Sequence, residues 1–334
     1  MVHLQDTTRR RVDAAVAAAQ RDWRSPNVSA AVVRDGDLVH SAHVGLARLD
    51  PPQLATDDTR WLIGSVTKTF TGVLVMALRD AGRLELDAPV GDYLPLAAGT
   101  DPAVRSVTIR RLLGHVSGLQ REVEGRMWES LRAPGSQELL GDLARVRPVL
   151  PASERYHYSN LGYAVLGLVI EQLEGRPWAQ VVRDRVLDPL GMTRTVVNPG
   201  EDRAGGYFVH PWTGVAHPEP VIDLGATVPM GGVWSTLTDL GRYAAFLAGP
   251  PPGTSHGTSH GTSPSASDRG SDRGSEASAA VLADSTVELM CQPQVVVDPQ
   301  RWTMAHGLAL GMVRHGERIY VGHSGAMPGF VTKP

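Results

Sequence analysis

Residues 61–82, WLIGSVTKTFTGVLVMALRDAG, constrain this chain more than any other stretch. The second part reads as a helix over residues 69–82. Val73, Leu74, Met76 and Ala77 form an apolar stripe at helical spacing, and Gly82 supplies the stop. Ser65 and Lys68 stand three residues apart at its start, so the helix would carry both on one face. A helix N-terminus offers unpaired N–H groups and partial positive charge, which suits the negative charge that develops on oxygen during acyl transfer. A lysine desolvated enough to lose its proton can activate a neighbouring hydroxyl. The pattern also has a bland explanation, because S-x-x-K arises in many helices as a capping serine and a solvated lysine.

Composition narrows the alternatives. The chain has 334 residues, 42% hydrophobic and 20% charged, enough for a sizeable core in one large or two smaller domains. A formal charge of −3 without a basic block argues against nucleic acid and anionic membranes as partners. One cysteine, Cys291, rules out an internal disulfide framework and a cysteine-based zinc site, and reads as a buried structural thiol. The N-terminal MVHLQDTTRRRVDAAVAAAQRDW lacks the apolar core of a signal peptide and reads as an amphipathic helix capped by Asp6-Thr7-Thr8. No stretch reaches membrane-spanning length, so the expected location is the cytoplasm.

Further along, residues 28–45 read as a hairpin about Asp35-Gly36. Residues 107–119 read as a short helix ending at Gly114 or Gly118, and 120–150 as irregular helix with little chemistry in view. Tyr158 and Asn160 precede an apolar helix, residues 164–173, that stops at Gly175. Asn160 reads equally as an N-cap and Tyr158 as a packed aromatic. A glycine-rich loop then leads to a helix capped near Thr236 or Thr238, with Trp234 as either pocket wall or core. Residues 249–280, with GTSHGTSHGTS and SDRGSDRGS, read as a disordered surface insertion, and His256 and His260 within it lack the partners of a metal site. A helix resumes over 281–293. Two strands about His315-Gly316-Glu317 follow, the second running into His323-Ser324-Gly325-Ala326, where small residues permit close approach of a substrate backbone.

Taken in order, S-x-x-K at a helix start, Y-x-N before a later helix and H-x-G on a late strand resemble the three motifs of the serine beta-lactamase and penicillin-binding protein superfamily. The surrounding phrases IGSVTKTFTGVLVMAL, HYSNLGYAVLGLVIEQLEG and VGHSGAMPGF strengthen the resemblance, which is to the class C beta-lactamase, D-Ala-D-Ala carboxypeptidase and esterase branch. It implies an α+β, beta-lactamase/transpeptidase-like fold with an antiparallel sheet flanked by helices. The expected sheet region is 1–84 with 294–334, and the mostly helical region 85–248 with 281–293. Ser65 would lie in a groove between them. It further implies that Ser65 is acylated, with Lys68 and Tyr158 moving its proton and the Tyr158 phenol lowered by nearby cations. Asn160 would orient Lys68 and the substrate amide. The N–H groups of Ser65 and Ala326, beside Gly325, would form the oxyanion hole. His323 stands where many relatives have lysine and is only partly charged near neutrality, which favours esterase or D-amino-acid peptidase activity over strong beta-lactamase activity. His115 is expected to be structural. No cofactor or metal is implied, and the partner is a small-molecule or peptide substrate with a carbonyl.

Relatives of this type continue past H-x-G with more strand and a C-terminal helix, whereas the closing VTKP does not read as an apolar strand. That departure raises the expectation of missing C-terminal strands and helix, supplied by a second polypeptide or absent. The second functional expectation is a non-catalytic or inactive penicillin-binding or sensor-type relative.

Overall fold

The computed structural model describes residues 4–34, 36–123, 125, 127–249 and 281–333. The chain divides into two compact units: Met1–Trp61 with Leu187–Glu219 and Trp234–Val287, and Leu62–Val186 with Pro220–Val233 and Glu288–Pro334.

In the first unit, helix Asp6–Trp23 has the expected extent, but its N-cap is Gln5, without a side-chain cap bond. Asp6 is already in the first turn, where its charge meets the positive end of the helix. The antiparallel sheet runs Asn27–Arg34, Asp37–Leu49, Pro52–Leu54. Its hairpin register pairs Ala30 with Ala42 and shifts between Val32 and Val33. Of the expected turn pair, Asp35 lies outside the described residues and Gly36 has φ +85°. Helix Leu237–Ala248 is capped by Thr236, whose hydroxyl accepts from the Asp239 amide. Trp234 is only 5% exposed, with the Arg203 guanidinium 5.7 Å above its ring. Gly249 ends this helix, and the expected insertion beyond it, 250–280, lies outside the described residues.

The second unit is built on two helices, Thr67–Asp80 and Asn160–Glu174. All of Thr67 to Met76 and all of Asn160 to Ile170 are buried, so both helices are enclosed on every side, beyond the single stripe read from the sequence. Inward-facing threonines remain satisfied. Thr71 donates to the Pro229 carbonyl at 2.7 Å, and the Thr67 hydroxyl accepts from the Val233 amide at 3.1 Å. Asn160 is not the N-cap of its helix. Ser159 is, accepting from the Gly162 amide at 2.9 Å, while Gly175 (φ +68°) closes the other end. Between these helices lie the short helices Ile109–Leu113, Met127–Ser130 and Ser136–Asp142.

A four-stranded antiparallel sheet, Arg318–Gly322, Gly311–His315, Met304–His306, Val295–Val296, follows helix Asp284–Met290. Its edge strand exposes Ile319, Tyr320 and Val321. The strand expected to run through His323 stops at Gly322. After His323-Ser324 a separate pair begins, Gly325–Met327 with Phe330–Thr332. The closing segment is therefore a strand, contrary to its sequence appearance, because the Pro328-Gly329 turn folds it back onto Gly325–Met327. The expected partition at residue 84 also shifts. Residues 62–84 and 288–334 group with the middle of the chain. Among the described residues no helix is long and apolar enough to cross a membrane.

Candidate active site

All the residues singled out in the three motifs fall in the second unit. Ser65 sits in a 3-10 turn, Gly64–Val66, that leads directly into Thr67–Asp80. Two glycines make this turn possible. Gly64 has φ +54°, and a Cβ there would stand 2.8 Å from the Ala326 nitrogen. A Cβ on Gly325 would stand 2.0 Å from the Ile63 carbonyl oxygen and 3.1 Å from the Ser65 nitrogen. The backbone around Ser65 and the strand carrying Ala326 thus approach as closely as two chains can. Ala326 is paired with Val331, one step from the pair flanking the turn. Antiparallel ladders alternate in which pairs exchange hydrogen bonds, so the Ala326 amide is turned away from Val331, on the side of Gly64. The amides of Ser65 and Ala326 form a neighbouring pair of donors, as a developing oxyanion requires.

Lys68 is completely buried. Its Nζ lies 3.1 Å from Ser65 Oγ, 2.8 Å from Asn160 Oδ1 and 2.6 Å from the Met230 carbonyl. Burial pulls its ammonium well below the ordinary 10.5, opposed by the Glu122 charge and assisted by Arg121. The two carbonyl oxygens can only accept. Nζ therefore donates to Asn160 and Met230, and its third position faces the Ser65 hydroxyl.

Tyr158 lies close enough to Ser65 for the serine hydroxyl to act on its phenol. Its ring lies 4.9 Å from Lys68 Nζ, and the Arg121 guanidinium 5.2 Å from the ring centre. The expectation that nearby cations lower this phenol is overturned. Burial dominates and raises it, outweighing the pull of Ser65 and Arg121. Tyr158 is thus a neutral hydroxyl at ordinary pH.

The turn bearing Tyr158 and Asn160 is fixed by the loop after Ile109–Leu113. The His157 amide donates to the His115 carbonyl at 2.7 Å, and the Asn160 amide to the Arg121 carbonyl at 2.7 Å. The Ser159 amide donates to His115 Nδ1 at 3.1 Å. His115 is fully buried in left-handed backbone (φ +54°), in keeping with its expected structural place.

Asn160 differs from expectation. Its Nδ2 donates to both carboxylate oxygens of Glu122, at 2.8 and 3.1 Å, so its amide hydrogens point at Glu122. The substrate-orienting role drawn from the resemblance is occupied by this side chain. Glu122 and the Met230 carbonyl were not legible as site members. Glu122 lay in a stretch read as chemically empty, and a backbone carbonyl carries no sequence signal.

His323 is half-buried, its Nδ1 2.6 Å from the Ser324 carbonyl and its ring centre 6.1 Å from that of Tyr158. Enclosure by protein, then Lys68 and His306, push it down to about 3. It is therefore neutral near pH 7, not partly charged. His306, which the sequence did not single out, stacks against this corner and is lowered by burial to about 4. Cys291, some distance along the chain, is a free, partly buried thiol raised by burial and by Glu288.

The beta-lactamase family profile matches residues 12–333. Penicillin-binding protein 4 of Amycolatopsis lactamdurans is 34% identical over 241 residues, covering 68% of this chain and 60% of its own length. Beta-lactamase-like protein 2 of Dictyostelium discoideum is 30% identical over 250 residues, covering 70% and 44%. The chain thus spans less than two thirds of either curated relative. Among solved structures, the octameric penicillin-binding protein homologue from Pyrococcus abyssi superposes with TM-score 0.75 at 24% identity, covering 96% of this chain and 68% of that one. The D-stereospecific amidohydrolase from Streptomyces sp. gives 0.70 at 24%, covering 96% and 87%. The fold is the α+β fold of penicillin-binding proteins and D-amino acid amidases. The chain belongs to the beta-lactamase family of serine hydrolases.

Proposed function

We propose that the chain hydrolyses amide or ester bonds through an acyl-enzyme on Ser65. The observation that carries this reading is the environment of Lys68: buried, lowered by desolvation, held by the Asn160 and Met230 oxygens and facing Ser65 Oγ at 3.1 Å. The Lys68 lone pair takes the Ser65 proton as Oγ bonds to the substrate carbonyl carbon. The carbonyl electron pair moves onto oxygen, where the Ser65 and Ala326 amides receive it. On collapse the bond to the leaving amine or alcohol breaks. The Tyr158 hydroxyl gives its proton to that leaving group and takes the proton from Lys68 in its place. Water then attacks the ester carbon, Lys68 again takes a proton, and Ser65 Oγ leaves as a hydroxyl. Tyr158, neutral and close to Ser65, serves as the relay and Lys68 as the base.

The neutral His323 gives little hold on a substrate carboxylate. With the D-amino-acid amidase and amidohydrolase neighbours, that favours esters and D-amino-acid amides over penicillins. A second reading is an acylated protein that turns over slowly, in which the raised Tyr158 phenol holds its proton and leaves Lys68 without a second base for hydrolysing the acyl-enzyme. Intact mass after fluorophosphonate, and separately after penicillin, tests both readings, with Ser65→Ala as control. A fluorophosphonate adduct confined to wild type, together with turnover of p-nitrophenyl acetate, supports the hydrolase. A persistent penicillin adduct without turnover supports the slow binder. No adduct in a folded sample contradicts both.

A further inference from the structure

Beside the Ser65 machinery, three histidines converge. One ring nitrogen from each of His115, His306 and His323 lies within 4.8 Å of the other two. The ring centres of His115 and His306 are 4.8 Å apart and those of His306 and His323 6.1 Å apart. No step of the proposed hydrolysis uses His115 or His306.

Their hydrogen bonds fix the tautomers. His306 Nδ1 is 2.9 Å from the Gly307 carbonyl, and His323 Nδ1 is 2.6 Å from the Ser324 carbonyl. A carbonyl only accepts, so each Nδ1 holds the proton and each Nε2 carries a free lone pair. His306 Nε2 is buried without a protein partner. An imidazole anchored through Nδ1–H on a carbonyl, with Nε2 directed elsewhere, is the arrangement metal-binding histidines adopt. His115 is the reverse. Its Nδ1 accepts from Ser159, so its Nε2 bears the proton, and this group too is buried without a partner. It cannot ligate in that tautomer, but it can donate to an oxygen held on an ion.

We propose that His306 and His323, through their Nε2 atoms, bind a divalent transition-metal ion, with the His115 Nε2–H donating to a water on that ion. Two imidazoles without a carboxylate select zinc, copper or nickel over magnesium or calcium. Two nitrogens on a tetrahedral zinc stand about 3.4 Å apart, so a pair at the 4.8 Å limit closes by about 1.4 Å. His323 can supply that movement, because it lies in the break between strands Arg318–Gly322 and Gly325–Met327. An ion there stands beside Tyr158 and would slow acylation of Ser65, a consequence that rests on the hydrolase reading. The binding itself does not.

The test is calorimetric titration of the tag-free full chain with zinc chloride alone, comparing wild type with His306→Asn and His323→Asn, each first checked for a cooperative melt. Wild type is expected to take up one zinc that both variants lose or bind more than about tenfold more weakly. Equal uptake by wild type and either folded variant overturns the proposal and assigns the ion to other histidines, such as His256 and His260. If one variant fails to fold, the other decides. Zinc should also slow fluorophosphonate labelling of wild type but not of His306→Asn. Absence of labelling under all conditions, with the calorimetric difference intact, would sink the hydrolase reading and leave the metal site standing.

Discussion

The two ends of the site are built differently. At the Lys68 end, three partners surround one nitrogen, and two of them, the Asn160 and Met230 oxygens, can only accept. At the histidine end, two buried ring nitrogens have no protein partner. The first is carried on the opening turns of two enclosed helices; the second depends on short strands and the break at His323-Ser324. Rigid helices can hold a desolvated amine at a fixed distance from a hydroxyl. A strand junction leaves room for a ligand or a substitution. In the proposed mechanism the proton chemistry belongs to Lys68 and the histidine end is the variable part.

The largest effect should come from Lys68→Met. Acylation of Ser65 should fall by roughly 10²–10⁴-fold, measured by fluorophosphonate labelling. The same variant reports on protonation through stability. Unfolded wild type binds a proton on Lys68 that the folded protein lacks, between the lowered folded value and 10.5. Wild-type stability relative to Lys68→Met should therefore rise with pH across that window, by up to about 1.4 kcal/mol per pH unit in urea titrations. Next in size, Gly325→Ala drives a methyl into the Ile63 carbonyl. It should cost about 1–3 kcal/mol of stability and slow labelling, since the Ala326 amide moves with it. Glu122→Gln should be milder, about tenfold in rate. Removing that charge lowers Lys68 further, so the acid limb of the rate profile should move to lower pH. The smallest effect is expected from His323→Gln. A histidine already neutral down to about 3 contributes no titration between pH 5 and 8, so profiles of wild type and variant should superpose in shape. A limb near 6.5 present only in wild type would break the contrast between the two ends.

How far the sequence revealed this site follows from what each part is made of. Helical spacing put Ser65 and Lys68 on one face, whereas Tyr158 and Asn160, which read equally as packed aromatic and cap, stood out only through the resemblance of the three motifs in order. The closing strand was not legible. Phe330–Thr332 pairs through backbone, and its short VTKP end has too few residues for a period to show. The engagement of Asn160 by Glu122 joins residues 38 apart through side chains alone. The direction of the Tyr158 shift depends on how burial weighs against Arg121, and only packing decides that. His306 looked like any strand histidine until its tautomer could be read from the Gly307 carbonyl.

The central claim is that Lys68 is a neutral amine facing Ser65 in the resting protein. The rate of Ser65 labelling by a fluorophosphonate, followed by intact mass from pH 5 to the alkaline stability limit, tests it most directly. The account predicts a rate that levels off well below the ordinary lysine value of 10.5 and a plateau absent in Lys68→Met. A wild-type rate that keeps climbing about tenfold per pH unit up to that value would mean a protonated Lys68 and would contradict it.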